Sequence, residues 1–485
     1  LFTLYLRDPN EGFGWTAAEA TALYANYLMF VYASPLIGGL IADKITGYRK
    51  AVMIGGMFFI LGHGLLSISA MWAVYAALTC LVIGNGFFKP NVSTMVGNLY
   101  PDGSPLKDRA YNIFYMGINV GATIAPIVME IVKQQVGFHA AFAVAAFGMV
   151  ISVVILWNFR KLVEDPGQVS GKFVATPSSE AANDSTKARA ALMAAVPDSK
   201  RIAALIVIFL IVIVFWMVFH QNGSTLTYWA DDNTAWSVSG TISNAINPFW
   251  IIVLTFPLVW FWGFLAKRGK EPSTPTKMAI GMTLTALSFF VLYFAATVGE
   301  SSTPTKDQLA AGSFRINERV VEQLRNDGLP SELLSKIVEA KHPDGKPIVN
   351  EVKFSGQEKF ISAVDEIVPG TGALYGEKLL QRAYLFVVSP VWLLLAYAII
   401  SLGELMLSPM GLSLVSKVAP VKSRGLLMGG WFVATAIGNK LTAIGIYWSI
   451  WYQSSFFLIL GLMALVMAFV LFLILRPLKK AMPGV

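Results

Sequence analysis

Three stretches of this chain carry no charge over lengths that a water-soluble fold rarely holds: 202–219, 278–299 and 441–475. A helix of about 20 apolar residues is what the hydrocarbon core of a bilayer requires. Such a helix satisfies all its backbone polar groups internally, which is why it can cross lipid. Composition agrees. Of 485 residues, 55% are hydrophobic and 14% charged, against roughly 25% charged in soluble domains. The sequence therefore reads as an all-α membrane protein. One cysteine, Cys80, excludes an intrachain disulfide.

Hydropathy and turn signals predict twelve helices: a stub ending at 6, then 17–42, 51–69, 72–99, 110–132, 138–159, 202–228, 243–266, 278–299, 384–416, 425–447 and 449–475. The stub reads as the end of a first helix whose beginning precedes Leu1. Polar stretches at 161–201 and 300–383 interrupt the series. The first divides it six and six, the layout of two six-helix bundles. The expected organisation is an N-terminal bundle over 1–160, a cytoplasmic linker over 161–201 and a C-terminal bundle over 202–485. The segment 300–383 is an extracytoplasmic insertion between helices 9 and 10. The linker is rich in Ala, Ser, Thr, Lys and Pro and reads as a flexible tether. The insertion has Ile316, Val320, Val321 and Leu324 at helical spacing and a helix start at Pro330-Ser331-Glu332, so a small helical cap is expected.

Lysine and arginine orient the bundles, because their excess marks cytoplasmic loops. With the amino terminus inside, the short inner loops and the tail hold fifteen of the 37, including Lys44, Arg49, Lys107, Lys277 and Lys417. The linker adds seven, whereas the short outer loops hold only Arg7 and Lys133. Both termini are therefore expected in the cytoplasm of a multi-pass protein, in a bacterial inner membrane. The net charge of +8 belongs to this asymmetry, and nucleic acid is not an expected partner.

Charges inside the spans carry the chemistry. Helix 4 contains Gly84-Asn85-Gly86-Phe87-Phe88-Lys89-Pro90-Asn91. A lysine at mid-helix costs roughly 2.5–3.5 kcal/mol on insertion scales, so Lys89 should face a watery cavity or a partner. The blander alternatives are snorkelling to the surface and a structural pair. Helix 10 contains Gly403-Glu404-Leu405-Met406-Leu407-Ser408-Pro409. Glu404 stands alone in an otherwise uncharged run; such a carboxylate can carry a proton or pair with a substrate ammonium. Lying in opposite bundles, Lys89 and Glu404 offer one charge for each end of a zwitterion. Between helices 2 and 3, Gly38-Gly39-Leu40-Ile41-Ala42-Asp43-Lys44 leads into Gly47-Tyr48-Arg49-Lys50. There Asp43 can face a helix amino terminus or pair with Arg49, a cluster suited to gating. This string resembles the loop signature of the major facilitator superfamily, whose fold of two six-helix bundles is the expected one.

A more specific resemblance rests on Phe88-Lys89-Pro90-Asn91, Phe114-Tyr115-Met116-Gly117-Ile118-Asn119-Val120-Gly121 and the helix-10 string. Phe215-Trp216 with Gln221, Asn247-Pro248, Gly429-Gly430-Trp431-Phe432 and Ala436-Ile437-Gly438-Asn439 extend it through both bundles. The ensemble resembles the proton-dependent oligopeptide transporter family. The resemblance implies a proton-coupled symporter of di- and tripeptides working by alternating access. It implies that Lys89 serves the peptide carboxyl end and proton coupling, and Glu404 the amino end. It also implies that Tyr32, Asn119, Asn247 and Ser408 are polar cavity positions, and that Trp216, Trp431 and Phe432 are aromatic walls. The coupling ion is the proton; no cofactor or metal is expected, and the carrier is expected to be monomeric in its lipid bilayer.

Two departures from the family pattern stand out. Its Glu-x-x-Glu-Arg-Phe motif of the first helix would precede Leu1. In helix 7, His220 occupies a place where the family commonly has Asp or Glu. Histidine takes up and releases a proton near neutral pH. His220 is therefore a candidate proton-coupling gate, and equally a neutral histidine bonded to a neighbour. The rival readings are a major facilitator carrier of nitrate, a peptide-like drug or another organic anion, and a non-transporting peptide sensor. An enzyme is not expected: the four histidines and one cysteine form no metal or nucleophile motif, and no phosphate-binding loop occurs.

Overall fold

The computed structural model describes residues 2–483 except 9, 16, 164–167, 170–171, 174–183, 224, 237–244 and 344–345. The N-terminal half comprises α1 (Phe2–Arg7), α2 (Ala17–Ile41), α3 (Tyr48–Leu65), α4 (Met71–Asn98), α5 (Leu106–Val136) and α6 (Phe138–Asn158). After the linker helix α7 (Asp184–Ala194) come α8 (Asp198–Phe219), α9 (Thr225–Asp232), α10 (Ile246–Lys267) and α11 (Thr274–Ser301). The insertion holds α12 (Lys306–Ala311), α13 (Glu318–Asn326), α14 (Ser331–Glu339), α15 (Gln357–Ile367) and α16 (Thr371–Ala383). The chain closes with α17 (Pro390–Leu405), α18 (Ser408–Val418), α19 (Arg424–Leu441) and α20 (Gln453–Ala481).

In the first bundle α4 is packed by α2 and α3, with α6 behind α3; in the second, α11 packs against α17 and α20. The bundles meet along α2 with α19 and α5 with α10. Glycine makes the first of these seams possible. A Cβ on Gly39 would lie 2.1 Å from the Gly425 carbonyl oxygen, so the two backbones touch. Large apolar side chains turned away from the packed faces, such as Phe147, Phe256, Trp260 and Phe469, are exposed, as lipid-facing residues should be.

Nine helical stretches among the described residues are long and apolar enough to cross a bilayer. The twelve expected from the sequence also counted α1, which has 6 residues, and α3 and α19. Those two have 18 residues each and carry Arg49 and Lys50, or Arg424 and Lys440. Three predicted helices are interrupted. Helix 7 ends at Phe219, turns through a 3₁₀ segment His220–Gly223, and resumes as α9. Helix 11 tightens into 3₁₀ geometry over Thr442–Trp448. Helix 10 begins at Pro390 rather than 384 and breaks after Leu405. Part of the presumed tether, 164–167, 170–171 and 174–183, lies outside the described residues. Its second part is the helix α7, whose Thr186 and Ala190 backbones close over Gly103.

The insertion is a small helical unit with its own core. Ile316, Val320, Val321 and Leu324 are buried with Phe314, Leu333, Ile337, Phe360 and Leu379. The Asn317 side chain caps α13, accepting from the Val320 amide at 2.9 Å. The unit is fastened to the second bundle. Arg315 pairs with Asp232 beyond helix 7, and Lys353 reaches the same carboxylate at 3.2 Å. Arg319 donates to the Trp451 carbonyl at 3.1 Å, and Ser449 donates to Glu318 at 2.7 Å.

Candidate functional site

The break in helix 10 builds the first part of the site. Pro409 has no amide hydrogen to extend a helix backwards, so it can occupy only the first turn of α18. Glu404 lies in the last turn before the break and is 3% exposed. Its two oxygens are fully engaged. The Tyr115 hydroxyl, on α5 of the other bundle, donates to Oε1. The Asn247 amide donates to Oε2 at 2.9 Å and to Ser401 Oγ at 3.0 Å. Buried carboxylates need such donors, because an unpaired one pays a large desolvation cost. The structure thus brings together two predicted residues, Glu404 and Asn247, with two the sequence reading left unassigned, Tyr115 and Ser401.

Lys89 forms the second part. No carboxylate lies within 4 Å of it among the described residues; instead its ammonium sits 4.8 Å from the Phe432 ring centre and 5.8 Å from that of Tyr32. Phe432 belongs to α19, so Lys89 reaches across the seam, and aromatic faces give a cation partial compensation. The Tyr32 hydroxyl accepts from Asn439 of the second bundle at 2.9 Å. Asn119 donates to the Tyr115 carbonyl one turn back at 2.9 Å, which holds it beside the Tyr115–Glu404 contact. Ser408 Oγ is buried on the side of Tyr115.

The aromatic residues are placed differently from one another. Trp431 is 2% exposed and lies against Gly411, where a Cβ would meet its ring at 1.9 Å. Trp216 is 5% exposed, and its indole N–H has no acceptor among the described residues. Both are packed inside the second bundle in this conformation. His220 stacks on Trp216, ring centres 5.1 Å apart at 21°, and its Nε2 is buried without a partner among the described residues.

At the lysine- and arginine-rich end the bundles are sealed by ions. Asp43 accepts from the Gly425 amide at 2.8 Å, the Leu426 amide at 2.7 Å and the Tyr48 hydroxyl at 2.8 Å. Of the two roles open to it from sequence, it takes the helix amino terminus, at the start of α19. An anion there is stabilised by the unpaired amides and the helix dipole. Arg49 instead donates to the Arg160 carbonyl at 3.4 Å, within its own bundle. Asp102 bridges Arg424 at 3.2 Å and Lys107 at 3.0 Å. Burial alone would raise its carboxyl, but those two cations hold it well below the usual carboxylate range. Asp108 meets Lys277 at 2.7 Å and Lys417 at 2.5 Å, and Arg109 meets Glu271 at 3.5 Å.

A family model described as PTR2, POT family, matches residues 49–189 and 177–316. The chain belongs to the POT family. Among its relatives, a di-/tripeptide transporter of Lactococcus lactis subsp. cremoris is 29% identical over 497 residues, covering 100% of this chain and 91% of the relative. The uncharacterized transporter YclF of Bacillus subtilis (strain 168) is 26% identical over 535 residues, covering 100% and 90%. Among solved structures, a peptide transporter POT point mutant in complex with alafosfalin superposes with a TM-score of 0.58 at 25% identity, covering 100% of this chain and 91% of that one. The fold is therefore that of the major facilitator superfamily, and the protein is a multi-pass membrane protein of a transporter family.

In this POT-family chain the sequence reading overlooked Tyr115, Asp102, Asp108 and Glu271. Tyr115 stood inside the quoted family string and was passed over. The acids lay beside lysines and arginines that had been counted only as markers of loop orientation.

Proposed function

We propose that this protein is a proton-coupled symporter that takes up di- and tripeptides by alternating access. One observation carries the reading: a cation on the first bundle, Lys89 against Phe432, and a carboxylate on the second, Glu404 against Tyr115, each reach across the seam between bundles. Among the described residues Lys89 is compensated by aromatic faces and no carboxylate, which leaves its ammonium available to a substrate carboxylate. Glu404 is held by Tyr115 across the seam, and a peptide amino end can replace that hydroxyl. The named di-/tripeptide transporter and the solved peptide transporter each match this chain over 91% of their own length.

The basic end is the cytoplasmic one on this reading, with both termini there. The conformation is then closed to the cytoplasm by Asp43, Asp102 and Asp108. A proton on Glu404 weakens its hold on Tyr115 and favours rearrangement of the seam, because a ligand moves an equilibrium only through unequal interaction with its states. His220, beside Trp216 and within electrostatic reach of Lys89, is a further proton-coupling position. Tyr32, Asn119, Asn247, Ser408 and Phe432 line the path, and Trp216 and Trp431 become pocket walls when the second bundle loosens.

The test uses protein reconstituted in vesicles with an imposed proton gradient. Glu404→Gln and Lys89→Ala each abolish proton-driven dialanine uptake, while His220→Gln lowers driven uptake more than counterflow. Normal driven uptake in both of the first two variants would sink the assignment.

A further inference from the structure

Among the described residues, Asp108 enters the seal differently from Asp43 and Asp102, each of which also bonds a residue of its own bundle. It lies in the first turn of α5, is 3% exposed, and among the described residues its side-chain partners are all on the other bundle. Lys417 and Ser413 of α18 donate to Oδ1 at 2.5 and 2.6 Å, and Lys277 of α11 donates to Oδ2 at 2.7 Å. Thr274 lies 3.1 and 3.2 Å from the two oxygens, and accepts from Lys417 at 2.8 Å. The second bundle alone therefore forms a socket with two buried ammonium groups, 1% and 8% exposed.

Within the second bundle that socket is not balanced. Lys277 has Glu271 at 2.7 Å, on its own bundle. Lys417 has no other carboxylate within 4 Å among the described residues. Removing Asp108 leaves Lys417 buried and unpaired, which is much costlier than losing a surface ion pair. The socket then stays dry only if the acid is in it. When the bundles part, water must enter to solvate Lys417, while Lys277 keeps Glu271.

We infer that Asp108 is the latch of this gate: a positioning residue whose insertion between Lys277 and Lys417 stabilises the closed state selectively. Its contacts exist only when the bundles meet at the basic end, so their whole energy is differential between the two states of the cycle. Asp43 differs, because it accepts backbone amides at a helix start and strips no lysine of its counterion when it leaves. The latch holds whatever the cargo. It rests on alternating access, not on the peptide assignment.

The experiment reads the gate without substrate. Cys80→Ser removes the single cysteine, and Ser416→Cys places a reporter on α18 beside Gly97 of α4, where the seal covers it. Labelling by a bulky maleimide is then timed in detergent-solubilised protein. Asp108→Asn keeps the shape and loses the charge; it should speed labelling about tenfold or more. Adding Lys417→Met removes the stranded cation and should return the rate most of the way toward the parent. Lys417→Met alone, which leaves Asp108 paired with Lys277, should speed labelling less than Asp108→Asn. Elution as a single monodisperse species shows that each variant is folded, and the Lys417 variants carry the test if Asp108→Asn fails there. Unchanged labelling in Asp108→Asn, or equal and additive effects in the double variant, would overturn the latch. Peptide uptake plays no part in the readout, so a failed uptake assay and a failed latch are distinguishable.

Discussion

At the scale of single residues, the cost of a charge in lipid determines most of what can be read. Lys89 and Glu404 are conspicuous in sequence because each interrupts a long apolar run, and both turn into the seam between the bundles. The donor that holds Glu404 was not conspicuous. Tyr115 is 289 positions away from its partner in the chain, and a tyrosine in a membrane helix has many ordinary explanations. Its hydroxyl is the link between the carboxylate and the opposite bundle. A hydrogen bond to a charged group contributes about 1.5–3 kcal/mol. Tyr115→Phe should therefore lower driven uptake by about ten- to a hundredfold, with the protein still reaching the membrane in normal amount. Uptake within a factor of two of the parent would remove Tyr115 from the site. The same distance argument applies to Asp108 and Lys417, 309 positions apart. They looked like loop charges and are buried partners.

At the scale of elements, the informative features are where helices break and where they touch. Helix 10 reads from sequence as unbroken over 384–416, and the break before Pro409, with Glu404 in the turn preceding it, comes from the structure. The glycines of the Gly38-Gly39 pair announced close packing without naming the neighbour. Gly38 lies against Gly86 of α4, and Gly39 against Gly425 at the start of α19, the same terminus that Asp43 caps, so one short region both touches and charges the contact. Because a Cβ on Gly39 would meet a backbone oxygen, the helices must separate to admit it. Overpacking of this kind costs about 1–3 kcal/mol. Gly39→Ala should lower the melting temperature of purified protein by several degrees, whereas Gly64→Ala should leave it unchanged. Gly64 has no atom within 4 Å of where its Cβ would stand. Equal melting of the two variants would mean that the seam is not tight in solution. His220 stacks on Trp216 and forms no ion pair among the described residues.

At the scale of the whole molecule, the protein is two helical bundles with an unequal addition. The insertion clamps the ends of helices 7, 9, 10 and 12 on one side of the second bundle, opposite the ionic seal. Asp232 is central to that clamp, 6% exposed and bonded to both Arg315 and Lys353. A buried acid with two cationic partners stabilises contact only while all three are together. Asp232→Asn should raise hydrogen exchange in 313–320 and 449–453 while leaving the insertion's own core protected. Exchange unchanged at those segments would show that apolar contacts alone hold the unit in place. Rocking of the bundles would then involve the second bundle and the insertion as one body.

Sequence alone determined the membrane class, the two-bundle order, the family resemblance and the two isolated charges. These depend on composition, local periodicity and the price of burying a charge, all of which are readable along the chain. Only the tertiary structure decided which acid meets which base, that Asp43 caps α19, that Tyr115 holds Glu404, and that the basic end is closed. Those facts depend on side chains brought together from positions hundreds of residues apart, and pairing at that range leaves no mark in local pattern.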